Sequence, residues 1–297
     1  MAVTENMIPP ASGASLVRLE AMPTGLPKLL SESFVLYVRA IKRLTRQPTV
    51  IFFSLIQPVI WLVLFGQMFS NIVRLPGTAD EFGNVSYLQF FIPTVILQSI
   101  LFGSGQSGVA MVTDIDSGFL DKLLTTPINR LAILVGRLTG DLTRTTVQML
   151  LIVVIGYIFG QFQDPHISFY YGIAGVIGAI IIALMFALVM MALNIFIALS
   201  TRNTEATFIV STFLTLPLLF TSSAQLPIAL LPDWMQTVAK LNPVTYAIEA
   251  MRIMLNGPES AANGHPGLDI LVAAVMLLVL GAITMGFATR RFRSAVD

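Results

Sequence analysis

Gly103-Ser-Gly-Gln-Ser-Gly108 holds the densest group of residues in this chain that could do chemistry. As G-x-G-x-x-G it would cradle dinucleotide phosphates, but that use needs a strand before it and a helix start after it, and here an uncharged apolar window surrounds it. As Gly105-Gln-Ser107-Gly108 it would present Ser107 as the nucleophile of an intramembrane serine hydrolase, which requires a histidine base within reach. His166 and His265 are the only histidines, each beside a proline in an outer loop, so the base is missing where the nucleophile sits. The remaining use is mechanical, because small residues let helix backbones approach closely; Gly156 and Gly160 form a similar pair.

Other chemistries find even less. No G-x-x-x-x-G-K-[ST] run is present to hold ATP, and neither H-E-x-x-H nor a histidine and acid cluster at metal spacing occurs. Zero cysteines remove disulfides and thiolate metal sites. Met185, Met190 and Met191 fit packing better than a metal path.

The elements that carry these residues are hydrophobic. The chain of 297 residues is 55% hydrophobic and only 11% charged, with a mean hydropathy of +0.81, which marks an integral membrane protein. Its charges leave six open windows, at Gln47 to Val73, Phe82 to Thr113, Thr145 to Gln163, Ile167 to Thr201, Ala206 to Pro232 and Ile270 to Thr289. Each can supply the roughly 20 residues that a spanning helix needs. The expected fold is an all-α membrane protein with six transmembrane helices, at about 50–69, 88–112, 145–162, 170–199, 206–222 and 270–289. With both termini in the cytoplasm, only Arg74, Lys240 and Arg252 among the Lys and Arg residues fall outside, as the positive-inside rule requires. Net charge of +1 with basic residues beside headgroups points to membrane lipids and gives no reason to expect nucleic acid.

A seventh helix over 233–255 would bury Lys240, Glu249 and Arg252. At roughly 2.5–3.5 kcal/mol per central charge its insertion is unfavourable, and it would carry the basic tail Arg290, Arg291 and Arg293 across the membrane. The segment instead predicts two short helices at the outer face. Asp233 is placed as the first N-cap, Asn242 and Pro243 cap and open the second helix, and Asn256-Gly257-Pro258 ends it. Glu249 and Arg252, three residues apart, could pair and so ease shallow immersion, with Trp234 and Tyr246 as interfacial anchors.

Residues 1–27, rich in proline and lacking an apolar core, read as a disordered cytoplasmic tail. Over 28–47, Leu30, Phe34, Val38, Ile41 and Leu44 form one face, and Arg39, Lys42, Arg43 and Arg46 another, predicting an interfacial helix broken at Pro48. Residues 48–297 form the transmembrane domain. The one substantial cytoplasmic connection runs from Asp114 to Arg144. Its first half predicts a short helix ended before Pro127, with Phe119, Leu120, Leu123 and Leu124 as an apolar surface beside Asp121 and Lys122. Such a helix docks either on a partner or on the chain's own helix ends.

Two stretches together resemble one family: Asp116-Ser-Gly-Phe-Leu-Asp-Lys-Leu-Leu-Thr-Thr-Pro-Ile-Asn-Arg130, and Leu231-Pro-Asp-Trp-Met-Gln-Thr-Val-Ala-Lys-Leu-Asn-Pro-Val-Thr-Tyr-Ala-Ile-Glu-Ala-Met-Arg252. They are similar to the membrane subunits of ABC-2 type exporters, closest to the daunorubicin-resistance permeases. The resemblance implies a permease that is not itself an enzyme, driven by a separate ATP-binding cassette subunit carrying ATP and Mg, and paired with a second permease subunit in the cell membrane. It implies a cytoplasmic coupling helix at Gly118, Phe119, Leu120, Asp121, Lys122 and Leu124, with Pro127 and Arg130 fixing the exit. An extracellular hairpin before the last span would use Pro232, Trp234, Gln236, Asn242, Pro243, Tyr246, Glu249 and Arg252. By position alone, Phe102, Phe213, Leu216 and Pro217 are candidates for a substrate path, with lipid-facing packing as the other reading. The expected cargo is an amphipathic or hydrophobic molecule; a polysaccharide or lipid-linked glycan is the alternative.

Overall fold

The computed structural model describes residues 26–46, 48–75, 78, 80–126, 128–162, 166–260 and 266–296. The expected tail falls almost wholly outside them, as do Pro127 and His265. The described residues are helical and contain no strand. In chain order the helices are α1 (Leu26–Thr45), α2 (Pro48–Met68), α3 (Tyr87–Asp116), α4 (Phe119–Leu124), α5 (Arg130–Gly160), α6 (Gly172–Thr201), α7 (Thr204–Phe220), α8 (Asp233–Leu241), α9 (Pro243–Asn256) and α10 (Pro266–Val296).

Local chemistry explains most of the boundaries. Side-chain oxygens of Ser86, Asn129, Asn203 and Asn242 accept the backbone N–H groups of Gln89, Leu131, Ala206 and Val244, so each starts a helix by satisfying a donor that has no partner within it. Pro48 and Pro243 occupy first helical positions, where the missing N–H costs nothing. Asp233 departs from expectation. It lies inside the first turn of α8, Pro232 holds the cap position, and no side chain caps the helix.

Four helices have the length and composition to cross a membrane: α3, α5, α6 and α10. The apolar part of α2, Ile56–Met68, and α7 are shorter. The 17 residues of α7 make about 26 Å of helix, at the lower end of what a bilayer core needs. The second half of the cytoplasmic connection is continuous with the third apolar window, since α5 runs unbroken for 31 residues.

α3 is the central post. It packs against α2, α5, α6, α7 and α9, and every residue from Tyr87 to Leu101 is buried. α6 and α10 pack together and hold α9 between them and α3. Around this apolar core, α7 meets the bundle through small and polar residues and turns large apolar ones outward. On α7, Thr207, Ser211 and Thr215 face inward while Phe208, Ile209 and Phe213 are exposed. This inversion of the soluble pattern is expected where lipid is as apolar as the protein interior and close approach decides which faces meet.

The same inversion appears on α1. Leu30 and Phe34 are each 63% exposed, and α1 instead docks on α5 with Ser33, Leu36 and Ala40. A Cβ on Gly136 would lie 2.7 Å from that of Leu36 and 2.8 Å from the Ser33 carbonyl oxygen, and one on Gly140 would lie 2.6 Å from that of Ala40. Glu32 accepts the Asn129 N–H at 2.8 Å and so ties α1 to the start of α5. Gly136→Leu is therefore expected to push α1 off α5, at roughly 1–3 kcal/mol for overpacking. Trypsin cleavage at Lys42 and Arg43 should rise several-fold, and unchanged cleavage would show that the glycine seam does not hold the helix.

Candidate functional site

Two clusters of polar and charged side chains sit at opposite ends of the bundle. The first surrounds α4. Gly118 takes φ 64°, a left-handed conformation that suits glycine, and lets the chain reverse after α3 into a six-residue helix. So short a helix has little stability alone, and three contacts hold it. Leu120 is buried in the core, Leu123 packs against that core, and the Arg39 guanidinium of α1 lies 3.3 Å above the Phe119 ring. Thr125 and Thr126 donate hydroxyls to the carbonyls of Lys122 and Leu123, closing the last turn.

Beneath α4 lies a clamp that pattern reading missed. Asp114, near the end of α3, accepts from Arg43 of α1 at 3.3 Å and from Arg137 of α5, so one carboxylate joins three helices. Partial desolvation draws Arg39 below the usual arginine pKa, Asp114 opposes that shift, and Arg43 adds to it. The signal was present only as an acid at 114 and arginines at 43 and 137, at separations that no helical period connects.

Of the coupling residues, Phe119 and Leu120 thus face the chain's own helices, while Asp121 and Lys122 are exposed. Leu124 closes α4 and Arg130 opens α5. Of the two docking surfaces open to this helix, its apolar side meets the chain's own helices, and Asp121 and Lys122 stay exposed.

The second cluster is the hairpin α8–α9. Asn242 sits between the helices, caps α9, and donates its amide to the Leu218 carbonyl at 2.7 Å and to Thr221 at 3.1 Å, fastening the hinge to the end of α7. Gln236 donates to the Leu231 carbonyl at 2.9 Å and the Tyr246 hydroxyl to the Lys240 carbonyl at 2.8 Å; Trp234 is exposed. Pro232 precedes α8, and its carbonyl accepts the Gln236 N–H.

Arg252 corrects the picture of shallow immersion. It pairs with Glu249 at 2.8 Å as the spacing allowed, but it is 1% exposed and lies inside the protein instead of at a lipid boundary. Its guanidinium donates to the Ala224 carbonyl at 3.1 Å, to Thr94 at 3.4 Å, to Ser223 at 3.5 Å and to the Phe90 carbonyl at 3.4 Å, and it stacks 3.5 Å from the Phe90 ring centroid. One side chain therefore links α9, α3 and the loop after α7. A recess of about 700 Å³ opens beside it, lined by Glu81, Gln236, Lys240, Glu249, Arg252 and Asp269 among others.

The four substrate-path candidates do not converge. Phe102 borders a cavity between α2, α3 and α5, whereas Phe213, Leu216 and Pro217 lie on the exposed side of α7. Ser107 is 2% exposed and its hydroxyl has no hydrogen-bond partner. Among the described residues no histidine or acid is hydrogen-bonded to it, and a serine nucleophile needs such a base. Its neighbours work as packing: a Cβ on Gly108 would lie 2.8 Å from the Asn194 carbonyl oxygen, and Asn194 donates to Ser104 at 3.0 Å across α3 and α6.

A chain of apolar helices held by internal polar clamps is a multi-pass membrane protein. The family model described as ABC-2 type transporter matches residues 31–256, and the chain belongs to that family. It is 31% identical over 231 residues to ycf38 of Cyanophora paradoxa, covering 76% of this chain and 74% of that one. It is 28% identical over 247 residues to the daunorubicin resistance ABC transporter permease protein DrrB1 of Streptomyces coeruleorubidus, covering 83% and 82%. Over 207 residues it is 23% identical to the inner membrane transport permease YadH of Escherichia coli K12, covering 67% and 74%.

Proposed function

We propose that this chain is the membrane-spanning permease of an ATP-driven exporter. Six helices, α2, α3, α5, α6, α7 and α10, cross the cell membrane with both termini in the cytoplasm; α4 then lies at the cytoplasmic face and the α8–α9 hairpin at the outer face. A pair of ATP-binding cassette subunits supplies ATP and Mg, and a second permease subunit completes the pathway. The cargo is an amphipathic or hydrophobic molecule taken from the cytoplasm or inner leaflet.

The observation that carries this reading is the mounting of α4. Its inner face is locked by Leu120, Leu123 and the Arg39–Phe119 stack, directly over the Asp114 clamp, while Asp121 and Lys122 project outward. A helix held this way moves with the bundle as a rigid lever. Docking energy that differs between the nucleotide states of the partner then becomes a shift between bundle states. The drug-resistance name of DrrB1 accords with outward movement of an amphipathic cargo.

Because the chain has no cysteine, a single Lys122→Cys is a clean reporter. It is expected to cross-link to the ATPase subunit in membranes, and the charge-reversing pair Asp121→Lys with Lys122→Glu is expected to lower ATP-dependent transport at least about tenfold while the purified permease melts at an unaltered temperature. Full transport by the reversed pair, with no cross-link, would defeat the coupling role.

A further inference from the structure

The cavity bordered by Phe102 has a volume of about 360 Å³ and lies between α2, α3 and α5. Among its lining residues, Gln57 and Trp61 come from α2, Gln98 from α3, and Arg144 and Gln148 from α5. No carboxylate is among them. Within a membrane protein such a concentration of carboxamides around a cation is costly to bury, and it marks a place where something polar binds.

Arg144 is the centre of the argument. Its only hydrogen bond among the described residues is to the Gly103 carbonyl at 3.2 Å, and it has no acidic partner, in contrast to Arg43, Arg137 and Arg252. A guanidinium has five N–H donors in a planar fork that matches phosphate, sulfate or carboxylate, so most of its capacity is unused by the protein. It stands 14 residues into α5, about 21 Å along the axis. All charges of α5 lie at or before it, and the 16 residues from Thr145 to Gly160 carry none. The cation therefore marks the boundary between headgroup and hydrocarbon depth. The cavity wall also carries two aromatic rings, Trp61 and Phe102. Gln148 stands one turn from Arg144 on the guanidinium's own helix and Gln98 on the facing helix α3, and Gln148 is held by its own bond to the Ser54 carbonyl at 2.9 Å. Exposed Gln57 leaves the cavity open to the side.

We propose that this cavity binds an anionic amphipath, with its acidic headgroup on Arg144 and the carboxamides, and its apolar part along Trp61 and Phe102. The proposal rests on the exporter reading and narrows its cargo, since a cation that forms no ion pair, in a cavity lined by no carboxylate, selects against cationic and in favour of acidic molecules.

Trp61 makes the site directly observable, because Trp234 is the only other tryptophan. Trp234→Phe protein is reconstituted in nanodiscs of phosphatidylcholine containing a small fraction of brominated phosphatidylglycerol or of brominated phosphatidylcholine. Quenching of Trp61 at equal bromolipid fraction is expected to be markedly greater with the acidic lipid. Arg144→Gln should abolish the preference, with about tenfold weaker apparent binding, and Arg144→Lys should keep most of it. Gln98→Leu, which leaves the cation in place, should weaken the preference by a smaller factor. Inorganic phosphate at millimolar concentration should not displace the brominated lipid; displacement would assign the site to a free anion and overturn the amphipath. Equal quenching by the two lipids overturns the proposal without any variant. Selective quenching without ATP-driven export of a labelled acidic amphipath would remove the export reading and leave the site. Export of that amphipath with unselective quenching would do the reverse.

Discussion

Arg252→Met is expected to destabilise the protein by roughly 3–5 kcal/mol, the cost of breaking a buried ion pair from one side. The variant leaves the Glu249 carboxylate, 14% exposed, without its cation, and strips donors from the Ala224 and Phe90 carbonyls inside the protein. It also removes the stack on Phe90, whose partner atoms a thioether replaces only in part. Arg252→Lys should fall between the two. A single ammonium can reach Glu249 but cannot also fork toward Ala224, Thr94 and Ser223. Glu249→Gln keeps an acceptor for the guanidinium and should lose about 1–3 kcal/mol. Thermal melting of the detergent-purified proteins orders the series. Equal melting of Arg252→Met and wild type would mean that the guanidinium is not what joins the hairpin to α3.

The second large effect is expected at Asp114, and it falls on coupling more than on stability. Asp114→Ala leaves the Arg43 and Arg137 guanidinium groups facing each other with Arg39 close by and no anion between them. The contact with Arg137, whose side chain is 16% exposed, carries most of the loss; that with Arg43, 51% exposed, is largely screened by solvent. A total of about 1–3 kcal/mol is expected. Released from the clamp, α1 should swing away from the end of α3 and take Arg39 off Phe119, so that α4 loses one of its three anchors. Trypsin should then cut after Lys122 in the folded protein, and ATP-driven transport should fall at least tenfold while melting shifts by only a few degrees. Asp114→Asn, which retains an acceptor without charge, should fall midway. Wild-type protease resistance and transport in Asp114→Ala would show that the three-helix junction plays no part in transmission.

The two effects differ because the junctions differ in exposure. Arg252 is enclosed, so its electrostatics act at low dielectric and appear as stability. The Asp114 clamp is partly solvated, and what it supplies is direction: it makes α1, α3, α5 and the lever α4 move together.

Much of this was legible in the chain. The apolar windows located the long helices, because burying many consecutive apolar residues leaves a spanning helix few alternatives. The hinge at Asn242–Pro243 was legible because a cap and a proline at the first helical position act within a few residues. The i,i+3 spacing of Glu249 and Arg252 likewise announced a pair that forms at 2.8 Å. Asp233 misled because a side chain able to cap is not obliged to, and Pro232 took that position.

The faces were where sequence patterns failed. A stripe of large apolar residues normally marks the packed side of a helix, and on α1 and α7 it marks the exposed one. Lipid rewards those side chains as well as protein does, so the choice passes to glycine, serine and threonine, whose pattern is weak.

The amino-acid order by itself determined that this is a helical membrane protein and where most of its helices start and stop. Those properties follow from transfer energies and caps, which act over neighbouring residues. Tertiary structure alone decided that Leu120 belongs to the core and Lys122 to the surface, that Asp114 gathers arginines from two other helices, and that Arg252 is enclosed while Arg144 keeps its donors unpaired. Each of these depends on which helix lies opposite, and that is settled by close packing between segments tens of residues apart, where no local period carries the information.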